Sequence, residues 1–106
     1  MERKIARIVS TMLGFERGIF TATLRLNYGE GLTQGTPGYR LDGPIAGRFI
    51  PAVLRACGAE QWELLPGRTV YALIRDGLVV GLEPLPTERG QPFMFEETRR
   101  ADVADR

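Results

Sequence analysis

The chain has 106 residues, 43% of them hydrophobic, and its 14 basic and 13 acidic side chains leave a formal net charge of +1. This length and composition suit one compact domain, and the near-zero charge means that nucleic-acid binding would need a local basic patch. There is no histidine, and Cys57 is the only cysteine. Histidine-based catalysis, histidine-ligated metals and internal disulfides are therefore excluded, and we expect a protein that is not an enzyme and holds no cofactor or metal.

The hydrophobic segments are too short for a membrane protein. No apolar stretch approaches the roughly 20 residues of a membrane-spanning helix, and the N-terminus lacks the apolar block of a signal peptide. A single cysteine suits a reducing compartment. We therefore expect a cytoplasmic protein that does not engage membranes.

The first quarter of the chain predicts two strands joined by a short turn. Residues 4–12 are rich in isoleucine and valine, and residues 19–27 alternate, with Phe20, Ala22 and Leu24 on one face and polar residues on the other. Such alternation is typical of a half-buried strand, which we expect to pair antiparallel to the first.

The segment from Tyr28 to Gly38 carries four glycines and a proline, a composition that predicts a long exposed loop.

The middle of the chain predicts one helix. After a brief third strand at residues 39–41, a helical spacing links Ile50, Val53, Leu54 and Cys57, which we expect to be nearly fully buried. Cys57 is therefore predicted to be a core residue and not a nucleophile. Gly58 is placed to end the helix. Pro51 leaves two alternatives open, a helix that begins near Ile50 or one that begins near Ala46 and is kinked.

The last third predicts a hairpin and a tail. A helical turn at residues 62–65 precedes β-type runs at 68–75 and 78–83, which Asp76-Gly77 joins with a strong hairpin signal. Residues 84–106 are polar and are predicted to form a tail that is partly ordered at most, although we expect its aromatic pair, Phe93 and Phe95, to pack against the domain.

The prediction is one α+β domain at residues 1–83, with a mostly antiparallel sheet of about five strands in the order β-β-β-α-β-β and one helix packed on it.

Several spaced motifs occur between residues 6 and 67. They are Thr11-Met-Leu-Gly, Tyr28-Gly29, Gln34-Gly35-x-x-Gly38-Tyr39-x-Leu41-Asp42 and Trp62-Glu63-x-Leu65-Pro66-Gly67. Together they resemble a family of small phage and prophage proteins for which no biochemical role is settled. The resemblance implies a phage or mobile-element origin and hence the cytoplasm of a bacterial host cell. It implies no activity.

The glycine-rich loop and its flanks are the candidate binding site, because ordering four glycines has a high entropic cost unless the loop needs unusual backbone angles or a close contact. The predicted partner-binding residues are Tyr28, Gln34, Gly35, Gly38, Tyr39 and Arg40. The loop lacks the Gly-Lys-Ser/Thr of a phosphate-binding loop. The near-zero net charge favours a protein partner. Tyrosine and arginine also stack on bases, which keeps nucleic acid as the alternative partner.

The function that these observations favour is a small phage-derived binding protein. It would engage a host or phage macromolecular complex, with inhibition of a bacterial defence system as the specific hypothesis. The alternative is a nucleic-acid-binding accessory protein of phage replication or recombination. Because a small sheet has edges to protect, we also expect a homodimer formed by pairing of edge strands.

Overall fold

The computed structural model describes residues 1–29, 33–36, 39–41 and 43–97, without the side chains of Thr33 and Tyr39. In chain order the elements are β1 (Glu2–Glu16), β2 (Ile19–Asn27), β3 (Thr33–Gly35), β4 (Tyr39–Arg40), α1 (Pro44–Cys57), a 3-10 turn (Trp62–Leu64), β5 (Thr69–Arg75), β6 (Leu78–Glu83) and β7 (Phe93–Met94).

The described strands form one seven-stranded sheet in the order β3-β2-β1-β5-β6-β7, with β4 also pairing with β2. Every pair is antiparallel. The α+β class with one helix is confirmed, and the five predicted strands correspond to β1, β2, β4, β5 and β6. The structure adds β3, which lies inside the predicted loop, and β7, which lies inside the predicted tail. Strands of three and two residues are too short to show an alternating pattern.

Both hairpins turn through two residues with positive φ. Arg17 and Gly18 have φ of 51° and 82°, and Asp76 and Gly77 have 52° and 78°. This is the backbone of a type I′ turn, whose twist matches that of the flanking strands. The predicted β5–β6 hairpin is therefore confirmed. β1 is longer than predicted, 15 residues, because it pairs with β5 through its first half and with β2 through its second.

Helix α1 starts at Pro44, earlier than either alternative predicted, and Pro51 lies inside it. Gly58 ends the helix in the left-handed conformation, with φ of 64°, as predicted. The fully buried face consists of Phe49, Val53, Ala56 and Cys57. The expectation for Ile50 and Leu54 was wrong: both are only partly buried. The helix is rotated so that Phe49 faces the sheet and these two residues pack at the margin.

The core continues past residue 83, where the sequence placed the end of the domain. β7 pairs with β6, and Phe93 and Phe95 are 5% and 4% exposed. Their rings contact each other and Phe49 of α1 at centroid distances of 5.7 to 6.1 Å. The expected docking of the two phenylalanines is thus confirmed, while residues 98–106 of the predicted tail lie outside the described residues.

Helix α1 covers one face of the sheet, where it contacts β5, β6 and β7. Along β1, the residues that point to the helix side at Ala6 and Ile8 are buried, whereas their neighbours Ile5 and Arg7 are exposed. No element that the structure describes covers the second face. None of the helices in the described part of the chain is long and apolar enough to span a membrane.

Candidate functional site

Two of the predicted site residues bind each other inside the fold. The Tyr28 hydroxyl donates a hydrogen bond to Oε1 of Gln34 at 2.7 Å, and Nε2 of Gln34 donates to the Gly77 carbonyl at 3.4 Å. Lys4 Nζ lies 5.6 Å from the centre of the Tyr28 ring. These contacts join the β2–β3 end of the sheet to the β5–β6 turn, so Tyr28 and Gln34 have an internal structural role.

Arg40 lies at a different place from Tyr28 and Gln34. It pairs with Thr21, whereas Gln34 pairs with Leu26, five positions further along β2. At about 3.4 Å per residue these positions are about 17 Å apart. Gly35 pairs with Arg25 between them. The structure therefore does not gather the predicted residues into one site; Gly38 lies outside the described residues, as does the Tyr39 side chain, and their binding role stays a prediction.

The uncovered side of the sheet, which we call the open face, carries a concentration of arginines. Directly paired residues of antiparallel strands point to the same side, so the register assigns each residue to a face. The open face holds Arg3, Ile5, Arg7, Thr23, Arg25, Arg40, Tyr71, Arg75, Leu78, Glu16 and Glu83. Arginines thus outnumber carboxylates here, although the whole chain is nearly neutral. Sequence reasoning missed this surface because its arginines come from four different strands.

Charged groups on the open face fall into two kinds. Arg3 Nε lies 2.8 Å from Glu83 Oε2, and its guanidinium lies 5.3 Å from the centre of the Tyr71 ring. Arg7 and Arg25 are exposed, and neither forms a salt bridge or hydrogen bond with another described residue. Arg7 on β1 pairs with Asn27 on β2, and Arg25 lies two residues before Asn27 on the same face. The two guanidinium groups therefore extend from neighbouring positions on adjacent strands. They form the uncompensated positive part of the face.

Apolar side chains lie beside arginines of the open face, since Ile5 lies two residues before Arg7 on β1 and Leu78 pairs with Arg75. Ile5 is 61% exposed and Leu78 is 56% exposed, although both belong to central strands of a well-packed sheet. Exposed apolar side chains next to arginines are typical of interfaces with partners. The open face can therefore supply both apolar area and directional hydrogen-bond donors.

Cys57 packs as a core residue, as predicted. Burial raises the pKa of its thiol from 9.0 to about 12, against a smaller opposite effect of the Arg68 guanidinium. Arg68 also donates a hydrogen bond to the Gly58 carbonyl at the helix end. The thiolate is the nucleophilic form of cysteine, so a thiol with this pKa is unreactive at neutral pH.

We expect Cys57 to resist alkylation by iodoacetamide at about pH 8 in the folded protein and to react readily in denaturant. Because folding raises the pKa, the stabilising contribution of the neutral thiol is complete below pH 9.0 and is lost as the pH rises toward about 12. Mass spectrometry of the alkylated protein measures the reaction. Labelling of the folded protein at the denatured rate would contradict a buried, protonated thiol.

One depression of about 250 Å³ lies between α1 and the segment around β7. Arg48, Arg55 and Glu97 line it together with apolar side chains. A single carboxylate with two arginines provides no pair of acid and base. Within residues 1–29, 33–36, 39–41 and 43–97, no group of three or more Asp, Glu, Cys or His side chains could hold a metal ion.

Comparison of the chain with protein-family profiles, with curated proteins and with solved structures finds no match. The resemblance to small phage proteins therefore rests on the quoted residues alone.

Proposed function

We propose that this chain is a binding protein that recognises a protein partner through the open face of its sheet. The observation that carries the proposal is the combination on that face of the free guanidinium groups of Arg7 and Arg25 with the exposed side chains of Ile5 and Leu78. A rigid sheet holds the backbone of these residues in fixed positions, so the conformational entropy lost when a partner binds is that of the side chains alone.

The chemistry of the open face suggests a partner surface that is acidic and partly apolar. Arginine binds carboxylates with two parallel hydrogen bonds, and it is enriched among the residues that dominate interface energies. Ile5 and Leu78 would be removed from water by apolar groups of the partner. The partner is therefore a protein surface that carries both carboxylates and apolar groups.

The resemblance to small phage proteins supports a more specific proposal about the partner. We propose that it belongs to a host or phage macromolecular complex in the cytoplasm of a bacterial cell, with a bacterial defence system as the candidate that the protein would inhibit. A small binding protein could block such a complex by occupying a surface that the complex needs, without catalysing a reaction.

Nucleic acid is the second candidate partner, favoured by the arginines and by Tyr71 on an exposed sheet, since aromatic residues on sheets stack on bases. Tyr71 is the aromatic residue among those assigned to the open face, and the Arg3 guanidinium already lies over its ring. The side chains of Ile5 and Leu78 cannot form hydrogen bonds or ion pairs with phosphates. These observations favour protein, and the salt dependence of binding separates the two, because nucleic-acid affinity falls steeply with salt.

The proposal predicts where a partner can be cross-linked. A photo-reactive amino acid placed at Ile5 and irradiated in bacterial cells should form adducts with a protein, whereas the same group at Leu64 should not. Leu64 is a matched control, since it is 53% exposed and lies in the 3-10 turn after α1, outside the strands of the sheet. Gel mobility after nuclease and after protease treatment identifies the adduct. Equal adducts from both positions would contradict the site, and adducts that nuclease removes would favour the alternative.

A further inference from the structure

We infer that two copies of this chain associate by antiparallel pairing of the free edge of β1, residues 10–16, around a two-fold axis at Leu13. This inference goes beyond the proposed function, because it concerns an edge of the sheet and a second copy of the chain. It does not require a partner on the open face, although it shares Arg25 with that surface.

The second half of β1 has a strand on only one side. Its pairing with β5 ends at the pair Arg7 and Thr69. Beyond that pair, the Ile8 amide donates to the Arg68 carbonyl at 2.8 Å and the Gly67 amide donates to the Ile8 carbonyl at 2.7 Å. The segment before Gly67 then lies away from β1. On its other edge β1 continues to pair with β2 as far as Glu16. In the described part of the chain no strand occupies the edge of β1 from Ser10 onward.

The backbone groups on this edge belong to Thr11, Leu13 and Phe15. On β2, Leu24 accepts from the Thr36 amide at 2.8 Å and donates to the Thr36 hydroxyl at 3.0 Å, so its polar groups point away from β1. In an antiparallel pair, the residue opposite such a position also points its N–H and C=O outward. Thr11 pairs with Leu24, and alternation extends the rule to the other two residues.

The side chains of the edge are unusually apolar for an exposed strand. Leu13 is 39% exposed and Phe15 is 76% exposed, with the Phe15 ring 5.2 Å from that of Phe20. Natural edge strands usually carry lysine, proline or a covering segment that prevents pairing with another chain. Residues 10–16 contain neither lysine nor proline. The edge is therefore open to pairing, and pairing would bury these side chains.

The register follows from which groups point outward. When Leu13 lies opposite Leu13 of the second copy, Thr11 lies opposite Phe15 of the second copy, and Phe15 lies opposite Thr11 of the second copy. All three outward residues then form hydrogen-bonded pairs. A shift of two residues, the smallest that keeps the faces matched, leaves one of the three pairs unmade. Centring on Leu13 is thus the register that satisfies the most backbone groups.

The positions of the charged side chains support the same register. Pairing centred on Leu13 places Glu16 opposite Ser10 of the second copy, and Ser10 pairs within its own chain with Arg25. The Glu16 carboxylate thus lies two strands, about 10 Å between Cα atoms, from Arg25 of the second copy, with only a small serine between them. Both side chains are long enough to meet across that distance, and the two-fold axis creates the pair twice. Like charges are not brought together.

Light scattering during gel filtration at about 50 µM protein tests the association. We expect twice the 11.8 kDa mass of one chain. Leu13→Lys should yield a folded monomer, because it places two ammonium groups at the axis, whereas the equally polar change Leu64→Lys should remain a dimer. A monomeric wild-type chain, or a dimer that Leu13→Lys leaves intact, would overturn the inference.

Disulfide formation tests the register and keeps the inference testable if Leu13→Lys fails to fold. Leu13→Cys should form an intermolecular disulfide on mild oxidation, because the two Cα atoms of a hydrogen-bonded pair lie about 5.5 Å apart. In Thr11→Cys they would lie about 14 Å apart and should not bridge. Native Cys57 can stay, since it is buried. Bridging of Thr11→Cys as fast as Leu13→Cys, or of neither variant, would overturn this pairing.

Discussion

Replacing Leu65 by alanine is expected to lower the free energy of unfolding by about 2 to 5 kcal/mol. Leu65 follows the 3-10 turn and is completely buried in the core. Truncation removes its apolar contacts and leaves a cavity that the sheet and helix can close only in part. Since domains of this size are stable by about 5 to 15 kcal/mol, the change should be large in urea denaturation.

The preceding residue provides the control. Leu64 is 53% exposed, so Leu64→Ala should change the free energy of unfolding by no more than about 0.5 kcal/mol. The two variants delete the same atoms from neighbouring positions. Similar losses for both would mean that the turn after α1 does not direct Leu65 into the core.

Substituting Gly81 by valine should separate β7 from the sheet and lower the free energy of unfolding by about 3 to 5 kcal/mol, the range for losing a buried phenylalanine. A Cβ atom at Gly81 would lie 2.6 Å from the Phe93 carbonyl oxygen and 2.9 Å from the Met94 sulfur. The strand that carries these atoms must move, which exposes Phe93 and Phe95. Denaturation and binding of a hydrophobic dye report the two effects.

Gly35→Val is the matched control, because a Cβ atom at Gly35 in β3 has no neighbour within 4 Å. It should bind no additional dye and should unfold at nearly the wild-type denaturant concentration. If Gly81→Val behaved in the same way, the segment after β6 would not depend on close approach to Gly81, and its contribution to the core would be refuted.

Local signals predicted the elements that depend on local chemistry. Alternation in β2, the Asp76-Gly77 turn and the Gly58 cap each act through neighbouring residues, and the structure confirms all three. The buried helix face was harder, because Ile50 and Phe49 begin two overlapping apolar stripes that share Val53 and Cys57. Only the position of the sheet decides that Phe49 points inward.

The candidate surfaces depend on register, which the sequence does not show. The predicted loop looked like one site because Gln34 and Arg40 are close in sequence, yet pairing along β2 separates them. In contrast, Arg7 and Arg25 are distant in sequence and become neighbours through the β1–β2 pairing. The free edge of β1 likewise follows from where β5 ends.

The most direct measurement of the central claim, that function lies on the open face, is the cross-linking yield from position 5 in two charge-reversed backgrounds. Arg7→Glu with Arg25→Glu should reduce the yield about tenfold or more, because it replaces two donors of the interface with charges that repel an acidic partner. Arg89→Glu, in the exposed loop before β7, should leave the yield unchanged. Equal yields in both backgrounds would contradict a partner bound by the open face.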